Sequence, residues 1–229
     1  YAEMAGIGSK TGIDLPNERE STMPSTRWKM RNYHHKWYAG ETISVAIGQG
    51  AVTVSPLELA TAIGGLSLGG RWMKPHLLES AKPAVIRQAQ FQQANVQDVV
   101  NGMYAVVNEG GTGRFAALPN VRVCGKTGSA QLASNQILKG TKLGQSMKDN
   151  GWFVAFAPQE APEIVVVALF ENGEHGDRAS WIARDVLKAY FDKKERRAKG
   201  QAQIADRISP PFLLPFGTPA LLFGNGVPQ

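Results

Sequence analysis

The sequence predicts an α+β fold, a small antiparallel sheet with helices on its faces, and three observations carry that prediction. Three β-rich runs follow one another after Pro119, joined closely enough to favour antiparallel pairing. Apolar residues at helical spacing mark two segments before them and one after. The helical segments are segregated from the strands, the arrangement of an α+β layer.

Taken in order, residues 1–54 are rich in Gly, Pro, Ser and Thr, with turn signals at Leu15-Pro16-Asn17 and Met23-Pro24-Ser25. Long loops with short ordered pieces are expected there. A helix then opens at Ser55, a good N-cap, with Pro56 at the first position and Glu58 completing a capping box. Leu57, Ala60, Thr61 and Gly64 continue it to Gly69-Gly70. A second helix is expected from near Asn95, with Asp98 at its third position. Its apolar stripe would be Val99, Met103, Val106 and Val107, and Gly110-Gly111 would stop it.

The expected strands are residues 121–131, 152–157 and 163–170, with Pro158 to Pro162 turning between the last two. A final helix from about 180 to 198 would cover one face through Ile182, Val186, Leu187, Tyr190 and Phe191. Residues 193–229 read as a basic and then Pro-rich tail, extended or disordered.

The composition is that of an ordinary globular protein: 229 residues, 43% hydrophobic and 19% charged, with a net charge of +6. Part of that excess sits in Lys193-Lys194-Glu195-Arg196-Arg197-Ala198-Lys199, which reads as a solvated helix end. No stacked aromatics or nucleic-acid motif accompany it, so a nucleic-acid partner is not expected. Cys124 stands alone, so it forms no internal disulfide. His34, His35, His76 and His175 show no metal-ligand spacing, and no metal or cofactor is expected. With no leader segment or bilayer-length apolar run, a targeting or anchoring device is expected outside these residues.

The sharpest local signal is Val123-Cys124-Gly125-Lys126-Thr127-Gly128-Ser129-Ala130-Gln131. Side chains alternate along a strand, so the hydroxyls of Thr127 and Ser129 would share one face with Lys126 on the other. Two neighbouring hydroxyls can hold a carboxylate. Gly128 between them would let a ligand approach the backbone, and an exposed edge would let a peptide add as a strand. Lys126 would raise the local positive potential. The tripeptide alone is weak evidence, because Lys10-Thr11-Gly12 repeats it ahead of a loop. Cys124 reads as a small apolar strand residue, and Asp149 and Glu171 as turn and strand-end residues.

K-T-G is one of three motifs shared by penicillin-binding proteins and class A β-lactamases. Longer stretches resemble the class B penicillin-binding proteins, in the same order: Thr11 to Glu18, Trp37 to Ile43, Ile47-Gly48-Gln49-Gly50, Val54 to Ala60, the Lys126 strand and Trp152 to Pro158. The stretch from Gly40 to Gly50 most resembles the elongation-type enzymes of rod-shaped bacteria. The resemblance covers about residues 5–192. It implies the C-terminal part of a penicillin-binding-protein or serine β-lactamase-like domain, spanning residues 1–192, with the N-terminal part of that domain absent from this sequence.

It further implies a peptidoglycan D,D-transpeptidase at the periplasmic face of a bacterial inner membrane, acting with cell-elongation machinery. A serine attacks a stem peptide ending in D-Ala-D-Ala, D-alanine leaves, and an amine from a neighbouring strand takes the acyl group. β-Lactams trap the same serine. On this resemblance Lys126 sits in the proton-relay network, Thr127, Gly128 and Ser129 bind the substrate, and the Ser129 N–H supplies half of an oxyanion hole.

The sequence departs from that family in one respect. No serine is followed by lysine three residues on, and no Ser-x-Asn occurs. Thr26-Arg27-Trp28-Lys29 has the spacing, but with threonine and among expected loop residues. A nucleophile and its base must lie within hydrogen-bond reach, so this chain alone is expected to be inactive. A non-catalytic module that binds D-Ala-D-Ala or penicillin on the same fold is the alternative. If a missing segment normally completes the sheet, the chain is expected either to associate with itself or to expose apolar surface opposite the C-terminal helix, whereas a compact monomer with a closed core would favour the binding module.

Overall fold

Helix-start chemistry and β-branched runs largely set the elements of the fold. The structure, a computed structural model, describes residues 1–132 and 148–208. Two units divide the chain, Tyr1–Ala189 and Tyr190–Gln229.

Residues 1–54 hold two short helices, α1 (Thr26–Tyr33) and α2 (Ala39–Ala46). Thr26 to Lys29 therefore form the first turn of a helix, correcting the loop expected there. The Ser25 hydroxyl accepts from the Trp28 N–H and supplies the cap that a loop reading overlooks. Helix α3 (Pro56–Ser67) starts as expected, with Ser55 and Glu58 in a reciprocal capping box. The buried Glu58 carboxylate also accepts from the Gly8 N–H at 2.5 Å, fastening the N-terminal loop to this helix.

A hairpin of β1 (Arg71–Met73) and β2 (Val85–Gln88) follows. It was not expected, because strands this short carry too few alternations to register as a period. Trp72 anchors it, fully buried, its indole N–H donating to the Ala62 carbonyl at 3.1 Å. Gly65 leaves the space that this ring fills.

Helix α4 runs from Gln93 to Asn108, two residues earlier than expected, and Asp98 does not cap it. Its buried stripe is Val100, Met103 and Val107, while Val99 is half exposed. Met103 and Val107 are thus buried as expected, and Val100 takes the place expected for Val99.

The three long strands form as expected: β3 (Cys124–Ala130), β4 (Asn150–Ala157) and β5 (Ile164–Phe170), antiparallel in the order β3-β4-β5. Cys124, Phe156 and Val165 lie in one row across the sheet and pack with Val100, Met103, Ile63 and Leu66 of α4 and α3. That row fixes the start of β3 in the core. The central strand is buried on both faces, from Phe153 to Ala157.

Helix α5 spans Gly176–Ile208, longer at both ends than expected. Residues 193–208 are good helix formers apart from Gly200, and one such glycine costs about 1 kcal/mol. The tail expected to begin at 193 is thus helical to Ile208, and the Pro-rich remainder lies outside the described residues. In the first unit the buried stripe of α5 is Ala179, Ser180, Ala183 and Leu187, whereas Ile182 and Val186 are exposed. The expected stripe gave weight to residue size, but small alanines are what allow a helix to approach closely. Among the described residues no helix is long and apolar enough to cross a membrane.

Candidate functional site

Among the described residues strand β3 pairs with β4 on one side only, and no strand covers its other edge. Side chains of Gln49 and Lys126 identify which backbone groups face that edge. Gln49 Nε2 donates to the Ser129 carbonyl at 2.8 Å, and Gln49 Oε1 accepts from the Gln131 N–H at 3.3 Å. Lys126 Nζ donates to the Thr127 carbonyl at 2.7 Å. In a strand the N–H and C=O of one residue point the same way, so the Ser129 N–H faces the open edge as well.

Thr127, Gly128 and Ser129 line a shallow cleft of about 390 Å³ beside this edge, together with Thr112, Arg114, His175, Gly176 and Asp177. The Thr127 and Thr112 hydroxyls are hydrogen-bonded at 2.7 Å, which fixes the Thr127 rotamer. Lys126 is exposed and is not part of the cleft wall, as strand alternation requires. Three of the four residues singled out from the sequence are thus brought together, and the fourth is held on the far side of the strand by the carbonyl between them. Arg114 gives the cleft a positive group, with Asp177 opposing it and the His175 imidazole beside them.

The floor of the cleft is made by the start of α5. A Cβ at Gly176 would meet the Trp152 carbonyl oxygen at 2.5 Å and the Gly128 nitrogen at 2.7 Å. A Cβ at Gly128 would meet only the Trp152 side chain, at an ordinary 3.5 Å. Packing therefore demands glycine at 176 but not at 128. The turn into α5 passes through left-handed backbone at Asn172 and Glu174. The Glu174 carboxylate pairs with Lys148 at 2.8 Å and Arg178 at 3.2 Å, and its hydrogen bond with Lys148 holds it below the usual carboxylate range.

The first copy of the tripeptide makes an instructive contrast. The Thr11 hydroxyl donates to Glu18 Oε1 at 2.6 Å and its N–H at 2.7 Å, and the Gly12 N–H donates to Oε2 at 3.0 Å. This Thr-Gly pair is spent on a carboxylate of its own chain. Elsewhere, Lys29 is paired with Glu41 and stacked on Tyr38, so Thr26-x-x-Lys29 is not assembled as a nucleophile and base. Cys124 is fully buried, and burial pushes its thiol up to about 12, which leaves it inert near neutral pH.

Sequence reasoning missed Gln49, Thr112, Arg114, His175 and Gly176 as site residues. Their sequence signals are Gly48-Gln49-Gly50, Gly110-Gly111-Thr112-Gly113 and Gly173-Glu174-His175-Gly176, three Gly-rich turns that could have been taken as loops placed against an edge.

Residues 1–189 match the penicillin-binding-protein transpeptidase domain. The chain is 41% identical over 196 residues to the peptidoglycan D,D-transpeptidase MrdA of Acinetobacter baumannii, covering 80% of this chain and 29% of that protein. It is 33% identical over 198 residues to the Escherichia coli K12 enzyme of the same name, covering 80% of this chain and 31% of that one. The chain thus spans about a third of the length of these relatives. Among solved structures, Pseudomonas aeruginosa PBP2 in complex with WCK 5153 aligns with a TM-score of 0.71 at 31% identity, over 82% of this chain and 42% of that one. The Helicobacter pylori complex of PBP2 with MreC aligns with a TM-score of 0.71 at 28% identity, over 82% of this chain and 34% of that one.

Proposed function

The chain belongs to the penicillin-binding-protein transpeptidase family, and from that premise we propose that it is the substrate-clamping part of a peptidoglycan D,D-transpeptidase. The observation that carries this reading is the open edge of β3, with Thr127, Gly128 and Ser129 on one cleft and the Ser129 N–H facing out. A terminal carboxylate accepts from the Thr127 and Ser129 hydroxyls, in the field of Arg114. The carbonyl of the penultimate D-alanine then meets the Ser129 N–H, one donor of an oxyanion hole that is typically worth about 3–4 kcal/mol in the transition state. Lys126, on the other side of the strand, supplies positive charge to the proton relay.

The attacking serine and its lysine belong, in this reading, to a segment outside the 229 residues, because no serine here has a lysine three positions on. That segment would complete the domain of which residues 1–192 are one part, with residues 193–229 a basic and Pro-rich extension. The serine attacks the penultimate carbonyl, the bond to the terminal D-alanine breaks, and an acceptor amine takes the acyl group. The protein works at the periplasmic face of the inner membrane through an anchor outside this sequence. Its partners are elongation proteins, a reading supported by the relative whose solved complex contains MreC. A non-catalytic binding module would use the same cleft, and a Ser-x-x-Lys in the adjoining segment separates the two.

The test is a nuclear magnetic resonance titration with diacetyl-L-Lys-D-Ala-D-Ala, alongside incubation with a fluorescent penicillin. The amides of Thr127, Gly128 and Ser129 should shift with the peptide, and no label should survive denaturation. A peptide that moves none of these amides overturns the site. A stable adduct on any serine or on Cys124 overturns the placement of the nucleophile.

A further inference from the structure

The Gln49 side chain occupies backbone groups that a bound peptide would need. It reaches β3 from a loop 80 residues earlier in sequence. Gly48 and Gly50 both adopt left-handed backbone at φ 74°, and the Gln49 N–H is tied to the Ser44 carbonyl at 2.8 Å. Side chains rarely adopt that backbone, so the two glycines are what allow a turn this tight. Its effect is to hold one carboxamide against the edge of β3. There the carboxamide donates to the Ser129 carbonyl and accepts from the Gln131 N–H.

An unpaired edge is usually covered, and here the chain covers it with a side chain instead of a strand. The cover conflicts with substrate binding, and the conflict follows from strand geometry alone. In a hydrogen-bonded antiparallel pair, two facing residues exchange both N–H···O bonds. If the penultimate residue of a peptide accepts from the Ser129 N–H, its own N–H must donate to the Ser129 carbonyl. That carbonyl is already engaged by Gln49 Nε2 at 2.8 Å.

We propose that the Gln49 carboxamide is a displaceable cap on β3, which an acylated D-Ala-D-Ala peptide must release in order to pair with Ser129. Gln49 is then a specificity-determining residue: it weakens binding of the peptide backbone upstream of the scissile amide and leaves recognition of the terminal carboxylate untouched. The proposal rests on the substrate reading given above. Binding exchanges one hydrogen bond for another, so the peptide gains little at Ser129 while the cap is present. Removing the cap returns the full contribution of one hydrogen bond, about a two- to tenfold gain in affinity.

Two ligands separate this effect from a merely structural role. Acetyl-D-Ala-D-Ala carries the upstream N–H. Propionyl-D-alanine keeps the terminal carboxylate and the scissile amide but ends before that N–H. In the native chain, the Gln49 carboxamide resonances, assigned by their loss in Gln49→Ala, should move to free values with the first ligand and stay with the second. Gln49→Ala should bind the first about two- to tenfold more tightly and the second unchanged. If both ligands bind Gln49→Ala more weakly, Gln49 only braces the strand and the proposal fails. It also fails if the native carboxamide stays bound with acetyl-D-Ala-D-Ala while the Thr127 and Ser129 amides respond, an outcome readable even if the variant does not fold. If neither ligand moves those amides in either protein, the substrate reading itself fails, and the proposal with it.

Discussion

A single methyl group added at Gly128 and, separately, at Gly176 distinguishes a glycine kept for a ligand from one kept for the fold. At Gly176 the new Cβ would lie 2.5 Å from the Trp152 carbonyl oxygen and 2.7 Å from the Gly128 nitrogen, and crowded contact ends near 3.4 Å. These are backbone atoms of paired strands, and the Gly128 carbonyl oxygen lies closer still, so the start of α5 must retreat by about 1 Å. Overpacking of this kind costs roughly 1–3 kcal/mol. For a chain of this size each kcal/mol lowers Tm by about 2–4 °C, so Gly176→Ala should melt roughly 2–12 °C lower. At Gly128 the new Cβ makes an ordinary 3.5 Å contact with Trp152. Glycine inside a strand costs about 0.5–1 kcal/mol relative to alanine, so Gly128→Ala should be neutral or more stable by up to that amount. The same variant should lose affinity for diacetyl-L-Lys-D-Ala-D-Ala. The assay is differential scanning calorimetry on both variants, paired with the peptide titration on Gly128→Ala. A destabilised Gly128→Ala, or one that binds as the native chain does, refutes the reasoning.

Three further outcomes are expected. Thr127→Val should weaken peptide binding roughly 10- to 100-fold, the loss of a hydrogen bond to a charged group, and Thr127→Ser should restore most of it in the same titration. Burial opposes ionisation of Glu18, but the Thr11 hydroxyl and the Thr11 and Gly12 N–H groups outweigh it and hold this carboxyl below its ordinary 4.5. A depressed folded-state value stabilises above the ordinary value and is lost as pH falls through it. The Tm gap between the native chain and Glu18→Gln should therefore hold through neutral pH and close as pH drops below 4.5, and a gap independent of pH counts against it. An apolar groove of about 870 Å³, lined by Met4, Leu59, Ile63, Phe91 and Val99, should bind a hydrophobic dye or drive self-association visible in sedimentation. A compact monomer that binds no dye would mean the groove is closed in solution.

Strand β5 and helix α3 were legible because each carries a redundant local signal, a β-branched run in one and a complete capping box in the other, and β4 was legible from its apolar and aromatic run. Side-chain direction was less legible. On α4 Val100 rather than Val99 is buried beside the expected Met103 and Val107, and on α5 Ala179 and Ala183 are buried beside the expected Leu187 while Ile182 and Val186 stay exposed. Apolar size says which residues prefer burial, but the partner surface decides how closely a helix can approach. At the site, Thr127, Gly128 and Ser129 were readable because one strand carries them. Thr112, Arg114 and His175 reach the same cleft, and Gln49 the edge of β3, from separate turns, and no local pattern records which turns meet.

The burial of Cys124 has a use in following the site strand. It is the only sulfhydryl of the chain, fully buried, two residues before Lys126 on the same strand. A thiol reagent reaches it only when β3 parts from the layer of Val100, Met103 and Phe156. The rate of its modification, measured against that of a free thiol, therefore reads the free energy of opening that strand. A ligand that adds to the edge of β3 should slow the reaction, and substitutions remote from the edge that loosen the layer should speed it. The native protein thus carries its own kinetic reporter, needing no added probe site, at the base of the strand on which the proposed binding site lies.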